Sequence, residues 1–547
     1  MSGDTTYNYE GSKNFVIENG ILKGGALNYL TGHDSFGELV LERLRAKPNF
    51  VGEVDGATGR EINFAEMEEK SVKCAMWMKE RNIQAGDTVG ICTHNQVDMY
   101  VPCFASLYLG AVYNPWWHTR ITKEMAKHFL HLAKPKVVFV DEPSTCLVIA
   151  AANEIKMELI IVVFGKSSKA QSLDDVIETQ HTEIVSTFNC TKLSSLDEPA
   201  VIVFTSGTTG FPKGSLHSNR SVLGNLPVWT ETKESNGPVT SMIFSPLAWA
   251  TGVMIMLRSI FQYETRIIYP EFNEEKSLEL IEKYKVNWML LGTSFATRLH
   301  CCSSIEKYDL STLKNLWITG GIVRREIQTK ISSKFPGIKI LQMYGSTELG
   351  GIAIMQNENT NFGSSGTIVR NMTMKIVDPE SGRVLGPNKN GEALFKSPYM
   401  MTSYYDSPEA TRETIDADGW LHSGDIAYYD ESGQIYIVDR IKEIIKYRGN
   451  HVSPTMVEKT LLQHPGVLEV AVLGVPHKID DELPIAFVLK APDSKVTKTE
   501  LEDRVANMLP DYMRLRGGVE FVTKMPHTAS GKTAKTELKK LLSNYSK

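Results

Sequence analysis

One segment of the chain reads Thr205-Ser206-Gly207-Thr208-Thr209-Gly210-Phe211-Pro212-Lys213-Gly214. The apolar run immediately before it, Ala200–Phe204, predicts a buried strand. Glycines let backbone N–H groups turn inward without a Cβ in the way, hydroxyl side chains add donors, and lysine adds a positive charge. A buried strand that runs into such a loop predicts a polyphosphate site at residues 205–210, 213 and 214.

The loop differs from the phosphate loop of Walker-type ATPases. Pro212 precedes Lys213, where the Walker pattern requires glycine before the lysine. A flexible polar surface loop is the alternative, but such a linker has no need of a preceding buried strand or of the Pro-Lys-Gly sequence.

Length and composition narrow the class of protein. A chain of 547 residues exceeds what one hydrophobic core usually supports, so we expect two or more domains. Its 42% apolar and 22% charged residues are typical of globular proteins, and a net charge of −5 argues against nucleic acid as a partner. The seven cysteines are odd in number and lack C-x-x-C spacing, which favours reduced thiols.

Targeting signals are not found in the sequence. The start, Met1-Ser2-Gly3-Asp4, is polar, and no apolar stretch approaches the roughly 20 residues of a membrane span. The end, Tyr545-Ser546-Lys547, lacks the Ser-Lys-Leu peroxisomal signal. We therefore expect a cytoplasmic protein without a transmembrane segment.

Strand-like and helix-like patterns alternate through the first four hundred residues. Strands are predicted at residues 88–92, 136–140 and 159–164, with amphipathic helices at 96–109 and 122–132. This alternation predicts an α/β fold of helix-covered sheets. Residues about 360–438 are richer in strands and turns and predict a β-rich subdomain.

The pattern changes after Asp439-Arg440. Ser453-Pro454 and Thr497–Glu500 each have the form of a helix start, between strand-like runs at 467–475 and 485–489. We predict a large domain at 1–438 and a small, mobile α+β domain at 439–547, with a hinge at 439–440.

Four further clusters carry chemistry. In Gln342–Glu348, the aromatic Tyr344 beside Gly345 can stack on a base, while Thr347 and Glu348 suit phosphate and Mg²⁺. Asp425 follows a glycine turn and suits ribose hydroxyls, although it could equally be an ordinary turn acid.

The other two clusters are basic. The segment 439–449 interleaves basic and apolar residues, which an edge strand with a charged face would also do. Ser530-Gly531-Lys532 presents a lysine near the end of the chain.

In this order, the five clusters resemble the AMP-forming adenylation superfamily, which contains acyl-CoA synthetases, 4-coumarate–CoA ligases and insect luciferases. The resemblance covers nearly the whole chain. Residues 419–428 and 515–519 are most similar to insect luciferases and their fatty acyl-CoA synthetase relatives.

The resemblance implies roles for the residues that match. The loop Ser206–Gly214 would hold the β- and γ-phosphates, and Asp425 and Arg440 would bind ribose. Adenine and the acyl group would be bordered by Gly320, Gly321, Ile322, Met343, Tyr344 and Gly345. Thr347 and Glu348 would contact the α-phosphate and Mg²⁺, with Glu348 as the metal ligand.

The resemblance also implies a reaction in two steps that uses ATP, Mg²⁺ and coenzyme A. Lys532 would neutralise charge while a small carboxylic acid attacks the α-phosphate and pyrophosphate leaves. Lys446 would face the site only after the small domain rotates, when Gly449 would line the approach of the thiol.

The substrate is the least determined feature. Beetle luciferases carry His-His-Gly-Phe where this chain has Ala248-Trp249-Ala250-Thr251, so Trp249 would be either an acyl gate or a core aromatic. The apolar run 253–257 beside it favours a medium- or long-chain fatty acid, although it could also be a buried helix. A luciferase that oxidises an adenylated luciferin with O₂ is the alternative activity, and a catalytically silent carrier is a third.

Overall fold

The computed structural model describes residues 15–27, 32–117, 121–205, 212–230, 237–321, 323, 325–448, 450–527 and 533–542. The helices are α1 Phe36–Ala46, α2 Phe64–Glu80, α3 Tyr100–Leu109, α4 Lys123–Ala133, α5 Glu142–Glu154, α6 Leu173–Glu178, α7 Glu183–Thr187, α8 Asn219–Thr230, α9 Ala250–Gln262, α10 Glu274–Tyr284, α11 Thr293–Cys301, α12 Arg325–Lys334, α13 Pro408–Thr414, α14 Pro454–Leu462, α15 Lys498–Met508 and α16 Lys535–Leu542.

The strands are β1 Phe15–Glu18, β2 Ile21–Gly24, β3 Val51–Asp55, β4 Glu61–Asn63, β5 Thr88–Cys92, β6 Val112–Trp116, β7 Val137–Asp141, β8 Ile160–Phe164, β9 Gln171–Ser172, β10 Pro199–Thr205, β11 Lys213–Ser218, β12 Val239–Ile243, β13 Glu264–Ile268, β14 Trp288–Gly292, β15 Asn315–Thr319, β16 Lys339–Ser346, β17 Gly351–Met355, β18 Thr367–Ile368, β19 Thr373–Val377, β20 Gly391–Lys396, β21 Ser403–Tyr404, β22 Leu421–Tyr429, β23 Ile435–Arg440, β24 Ile445–Tyr447, β25 Asn450–Val452, β26 Val467–His477, β27 Asp481–Lys490 and β28 Gly518–Val522.

Two large sheets with parallel centres form the main body of the fold. One has eight strands in the order β21-β11-β10-β6-β5-β7-β8-β9, and the other has nine in the order β18-β17-β16-β15-β14-β12-β13-β3-β4. Neighbouring strands from β10 to β9 and from β16 to β3 are parallel, whereas the remaining pairs are antiparallel. Helices cover these sheets, so the predicted α/β class is confirmed.

Local sequence explains where the helices between the strands begin. The hydroxyl of Thr122 accepts a hydrogen bond from the backbone of Met125 and caps α4, as the polar-to-apolar pattern predicts. The helix predicted from residue 96 begins only at Tyr100. Asp98 just before it has a left-handed backbone with φ 71°, which a helix cannot include.

A six-stranded antiparallel sheet provides the β-rich part of the molecule. Its order is β1-β2-β19-β20-β22-β23, so a hairpin from residues 15–24 extends strands from residues 373–440. The sequence pattern predicted the later strands of this sheet and did not predict the participation of the hairpin. The last strand, β23, ends at Arg440.

Residues after 444 form a separate five-stranded sheet. Its order is β25-β24-β27-β26, with β28 parallel to β27, and helices α14 to α16 pack on it around apolar cores of their own. The capping box predicted at Thr497 is present, because Thr497 and Glu500 each accept a hydrogen bond from the backbone of the other. The domain boundary at 438/439 stays a prediction.

Among the described residues, no helix has both the length and the apolar composition needed to cross a membrane.

Candidate active site

The candidate site begins where the predicted phosphate loop leaves β10. Thr205 at the end of β10 pairs with Lys213 at the start of β11, so two antiparallel strands close the loop at its base. His128 of α4 lies 2.8 Å from the carbonyl oxygen of Pro212. A Cβ on Gly214 would lie 2.8 Å from the side chain of Ile202, which explains the glycine there. The predicted residues Ser206, Gly207, Thr208, Thr209 and Gly210 lie outside the described residues.

The second predicted cluster lies at the end of β16. A Cβ on Gly345 would lie 1.9 Å from the carbonyl oxygen of Gly351 on β17, so glycine is required for these two strands to pair. Thr347 and Glu348 follow in a turn, in which the carbonyl of Thr347 accepts a hydrogen bond from Gly350. The carboxyl end of a parallel strand therefore presents both residues, the usual position for ligand-binding groups in α/β sheets.

Glu348 and Lys213 both contact Tyr404. The Tyr404 hydroxyl donates a 2.8 Å hydrogen bond to Oε1 of Glu348, and Nζ of Lys213 lies 5.0 Å from the centre of the tyrosine ring. Burial raises the pKa of Tyr404, and the negative charge of Glu348 raises it further, so the phenol stays a neutral donor.

Asp425 contacts two other predicted residues, Tyr344 and Arg440. Its Oδ2 accepts a 2.6 Å hydrogen bond from the Tyr344 hydroxyl, and its Oδ1 lies 3.1 Å from Nε of Arg440. Asp425 and Arg440 are register partners on β22 and β23. The Asp425 side chain is 8% exposed, whereas that of Arg440 is 48% exposed, so the guanidinium remains accessible to a ligand.

The charges around Arg440 and Tyr344 shift the pKa values of both side chains. Burial lowers the pKa of Arg440, but the charges of Asp425 and, among others, Glu348 outweigh it and raise that pKa overall. Burial also raises the pKa of Tyr344, and Asp425 adds to this effect. The tyrosine ring stacks on Phe395 with centroids 5.8 Å apart.

The glycine pair at the end of β15 lies next to Met343. The Thr319 hydroxyl donates a 3.2 Å hydrogen bond to the Met343 carbonyl, and Gly320 follows with φ 83°. A Cβ on Gly321 would lie 3.1 Å from the hydroxyl of Thr293 at the start of α11. Ile322, the third residue predicted here, lies outside the described residues.

Trp249 lies immediately before α9 and contacts a second tryptophan. Its ring stacks on that of Trp117, with centroids 6.2 Å apart and planes 22° apart. Residues 253–257 are a buried part of α9, so the helix interpretation of that apolar run is correct. Because Trp117 is partly exposed, its stacking on Trp249 is consistent with Trp249 as an acyl gate and with Trp249 as a core aromatic.

A protein-family model described as AMP-binding enzyme matches residues 40–405, and one described as the C-terminal domain of that enzyme matches residues 456–532. This chain belongs to the AMP-binding enzyme family. The resemblance to the AMP-forming adenylation superfamily is therefore confirmed.

Relatives of this AMP-binding enzyme include both ligases and luciferases. It is 31% identical over 499 residues to luciferin 4-monooxygenase of Photuris pensylvanica, covering 89% of this chain and 91% of the relative. It is 31% identical over 527 residues to the probable 4-coumarate–CoA ligase 3 of Dictyostelium discoideum, covering 92% and 94%. The solved structure of the luciferase-like enzyme from the nonluminescent mealworm Zophobas morio matches with a TM-score of 0.72 and 31% identity, covering 78% of this chain and all of that one.

Of the two predicted C-terminal lysines of this AMP-binding enzyme, the structure describes Lys446. Lys446 lies on β24 with an exposed side chain, and its backbone N–H donates a 2.9 Å hydrogen bond to Glu482. Among the described residues its ammonium has no hydrogen-bond or ion-pair partner. Lys532 and Gly449 lie outside the described residues.

Sequence reasoning missed Tyr404 and Trp117, which contact predicted residues, and His217, which lies on β11 after Lys213 and Gly214. His217 of β11 is buried, and its two ring nitrogens lie 3.0 Å from the hydroxyl of Ser215 and 3.1 Å from that of Ser221. No motif marks these positions. Only the pairing of β11 with β21 and the packing of Trp117 against the start of α9 bring them to the site.

Proposed function

We propose that this AMP-binding enzyme activates a carboxylic acid with ATP and then transfers the acyl group to coenzyme A. The observation that carries the proposal is that predicted residues contact one another in two groups: Lys213 and Glu348 through Tyr404, and Asp425 with Arg440. These groups supply a cation for phosphates, a carboxylate for a metal ion, and an acceptor with a donor for ribose. Family membership and the 4-coumarate–CoA ligase relative support the same reaction.

The residues present fit Mg²⁺. Glu348 offers a carboxylate whose Oε1 is already oriented by Tyr404, and the described residues contain no cluster of three acidic, histidine or cysteine side chains that would form a closed metal cage. A magnesium site built from one carboxylate and substrate phosphates needs no such cage. When bound, Mg²⁺ would neutralise phosphate charge, and Thr347 beside Glu348 would contact the α-phosphate.

In the first step an oxygen of the substrate carboxylate forms a bond to the α-phosphorus of ATP. The bond from that phosphorus to the bridging oxygen breaks, and pyrophosphate leaves towards the loop that Lys213 terminates. The attacking carboxylate and the triphosphate of ATP are both negatively charged. Fixed cations therefore have their greatest effect in the transition state, where the two groups come together. We assign this role to Lys532.

In the second step the thiol of coenzyme A loses its proton, its sulfur bonds to the acyl carbon, and AMP leaves. We propose that the domain after residue 438 rotates between the steps and exchanges Lys532 for Lys446, with Gly449 beside the thiol. Water would hydrolyse the acyl adenylate, so closure of the site also protects the intermediate.

We propose a medium- or long-chain fatty acid as the substrate, bordered by Trp249, Gly321 and Ile322. The support is the similarity of residues 419–428 and 515–519 to insect-type fatty acyl-CoA synthetases. The cytoplasm is the proposed location, supported by seven free cysteines, which are typical of reducing compartments.

The adenylation step can be tested by measuring the exchange of labelled pyrophosphate into ATP in the presence of each acid of a panel. We expect exchange that depends on the acid and is strongest for medium or long acyl chains. Exchange with aromatic acids only would contradict the fatty-acid assignment, and no exchange with any acid would contradict the ligase reaction itself.

Luciferin oxidation by O₂ is the second candidate, because the Photuris relative is 31% identical. The Zophobas enzyme is also 31% identical, is described as luciferase-like, and comes from a nonluminescent mealworm. Light emission with ATP, Mg²⁺ and a luciferin would favour the second candidate, and darkness with robust thioester formation would favour the ligase.

A further inference from the structure

Tyr404 has a fixed position between Lys213 on β11 and Glu348 in the turn after β16. It lies on β21 opposite Ser215 of β11, and its backbone N–H donates a 2.9 Å hydrogen bond to the hydroxyl of Thr411. The residue is 7% exposed. A buried strand residue fixed on both sides has one orientation, so its ring and hydroxyl have defined positions.

The hydroxyl and the ring face of Tyr404 contact groups of opposite charge. The hydroxyl donates to Glu348 at 2.8 Å, and the face of the ring lies 5.0 Å from the ammonium of Lys213. A hydrogen bond to a carboxylate and a cation over an aromatic face are both attractive. One side chain therefore contacts the base of the phosphate loop and the proposed metal ligand at once.

The two charged groups do not pair directly with each other. Among the described residues, no ion pair links Lys213 to Glu348, although both are long, flexible and of opposite charge. A direct pair would occupy the carboxylate that a metal ion needs and the ammonium that a phosphate needs. With Tyr404 between them, each charge is held and each remains available.

Resting on the proposed function, we propose that Tyr404 is the positioning residue that keeps the Glu348 carboxylate and the Lys213 ammonium apart and oriented before the nucleotide and its metal ion bind. Pre-oriented groups lose less conformational entropy on binding and hold the ligand more precisely. Tyr404 itself touches neither phosphate nor metal in this account and acts through its two neighbours.

The test separates the hydroxyl from the ring. Tyr404→Phe keeps the ring under Lys213 and removes the donor to Glu348. The probe is Mn²⁺, titrated by electron paramagnetic resonance in the presence of saturating ATP and without any acid, so that no turnover is needed. We expect about tenfold weaker Mn²⁺ binding, the size of a lost hydrogen bond to a charged group, with metal-free ATP binding unchanged.

A matched control is available on β23 of the six-stranded sheet. The Tyr436 hydroxyl donates a 3.3 Å hydrogen bond to Asp430, so Tyr436→Phe removes a tyrosine–carboxylate contact of the same kind. We expect wild-type Mn²⁺ binding for this variant. Weakened binding in Tyr436→Phe equal to that in Tyr404→Phe would overturn the inference, because the effect would then be general.

A second variant covers the case in which Tyr404→Phe folds poorly. Glu348→Asp keeps the charge but withdraws the carboxylate from the Tyr404 hydroxyl, and should reproduce the loss of Mn²⁺ affinity. In a Glu348→Ala background, which removes the acceptor, Tyr404→Phe should add nothing further.

The outcomes distinguish the inference from the function on which it rests. Wild-type Mn²⁺ affinity in both Tyr404→Phe and Glu348→Asp overturns the positioning role and leaves the ligase proposal standing. Failure of the wild-type protein to bind Mn²⁺ with ATP overturns the proposed function first.

Discussion

Asp425 uses its two carboxylate oxygens for two different partners, the Tyr344 hydroxyl and the Arg440 guanidinium. Both partners are donors, so they fix the direction of the carboxylate while each oxygen keeps a second lone pair. A ribose hydroxyl entering this site would meet an acceptor that is already fixed in direction. Such pre-organisation favours a sugar with hydroxyls at the expected positions.

Asp425→Asn should weaken ATP binding about tenfold or more and remove most of the preference for ribose. The amide replaces one acceptor oxygen with an NH₂ group, which can accept from neither the Tyr344 hydroxyl nor Arg440. Calorimetric titration with ATP and with 2′,3′-dideoxy-ATP measures the effect.

The matching control is Asp430→Asn, since Asp430 accepts hydrogen bonds in an exposed turn on the same sheet. An unchanged ratio of the two affinities in Asp425→Asn would show that the carboxylate does not read the sugar.

How far the sequence predicts the candidate site depends on where each residue lies along the chain. Thr205, Lys213, Thr347 and Glu348 were predictable because each adjoins a strand end that the apolar pattern already marks. Tyr404 was not, because its relevance comes from the pairing of β21 with β11, which no local pattern encodes. A sequence motif identifies site residues that are neighbours along the chain. It does not identify a residue such as Tyr404, which a distant strand brings to the site.

At the scale of elements, β11 is attached to its surroundings through His217. The Ser221 hydroxyl donates a 2.6 Å hydrogen bond to the carbonyl of Tyr399, so it accepts from Nδ1 of the imidazole, while Nε2 faces the hydroxyl of Ser215. Burial lowers the pKa of His217 from 6.5 to about 4. The strand that follows the phosphate loop is thus held by a neutral histidine.

This arrangement predicts an acid-sensitive stability. Because the pKa of His217 is lower in the folded than in the unfolded state, the unfolded chain takes up the proton first as the pH falls below 6.5. The stability that His217 contributes is present above pH 6.5 and is lost progressively towards pH 4, by about 3 kcal/mol in total.

Thermal melting between pH 7 and 4 provides the measurement, and His217→Gln should flatten the dependence. His181→Gln, at an exposed histidine, should leave the slope unaltered. A slope in His217→Gln as steep as in the wild type would contradict the assignment to this side chain.

Element boundaries show why fold class was easier to predict than detail. The strand at residues 88–92 was predicted with the bounds observed, because a fully buried parallel strand is a continuous apolar run. The start of α3 was misplaced, because a single left-handed residue, Asp98, delays the helix without changing the amphipathic pattern. Hydrophobic periodicity reports burial and not backbone conformation.

On the scale of the whole molecule, Asp439 at the predicted domain boundary contacts the start of α14. Its Oδ2 accepts hydrogen bonds from the Ser453 hydroxyl at 2.6 Å and from the backbone N–H of Thr455 at 3.1 Å, both at the start of α14. The predicted hinge residue on β23 thus contacts the part that is proposed to move. A rotation at this point would swing everything after β23 as one unit.

The roles proposed for Lys532 and Lys446 predict which half-reaction is slowed when each lysine is replaced. Lys532→Ala should slow adenylate formation about 100-fold or more, because it removes the cation between two anions, yet should spare thioester formation from a supplied acyl adenylate. Lys446→Ala should do the reverse.

Single-turnover assays of the two half-reactions measure both variants, and each variant serves as the control for the other. Equal damage to both half-reactions by Lys532→Ala would contradict the two-orientation account for this chain.

The hairpin of residues 15–24 has a consequence for how the chain is made. Its strand β2 pairs with β19, so an early part of the nascent polypeptide stays without its neighbour until residues 373–377 have left the ribosome. At roughly 5–20 residues per second, that interval is on the order of tens of seconds. During this time the edge of β2 that later pairs with β19 stays without its partner, and unpaired strand edges are prone to pair with other chains.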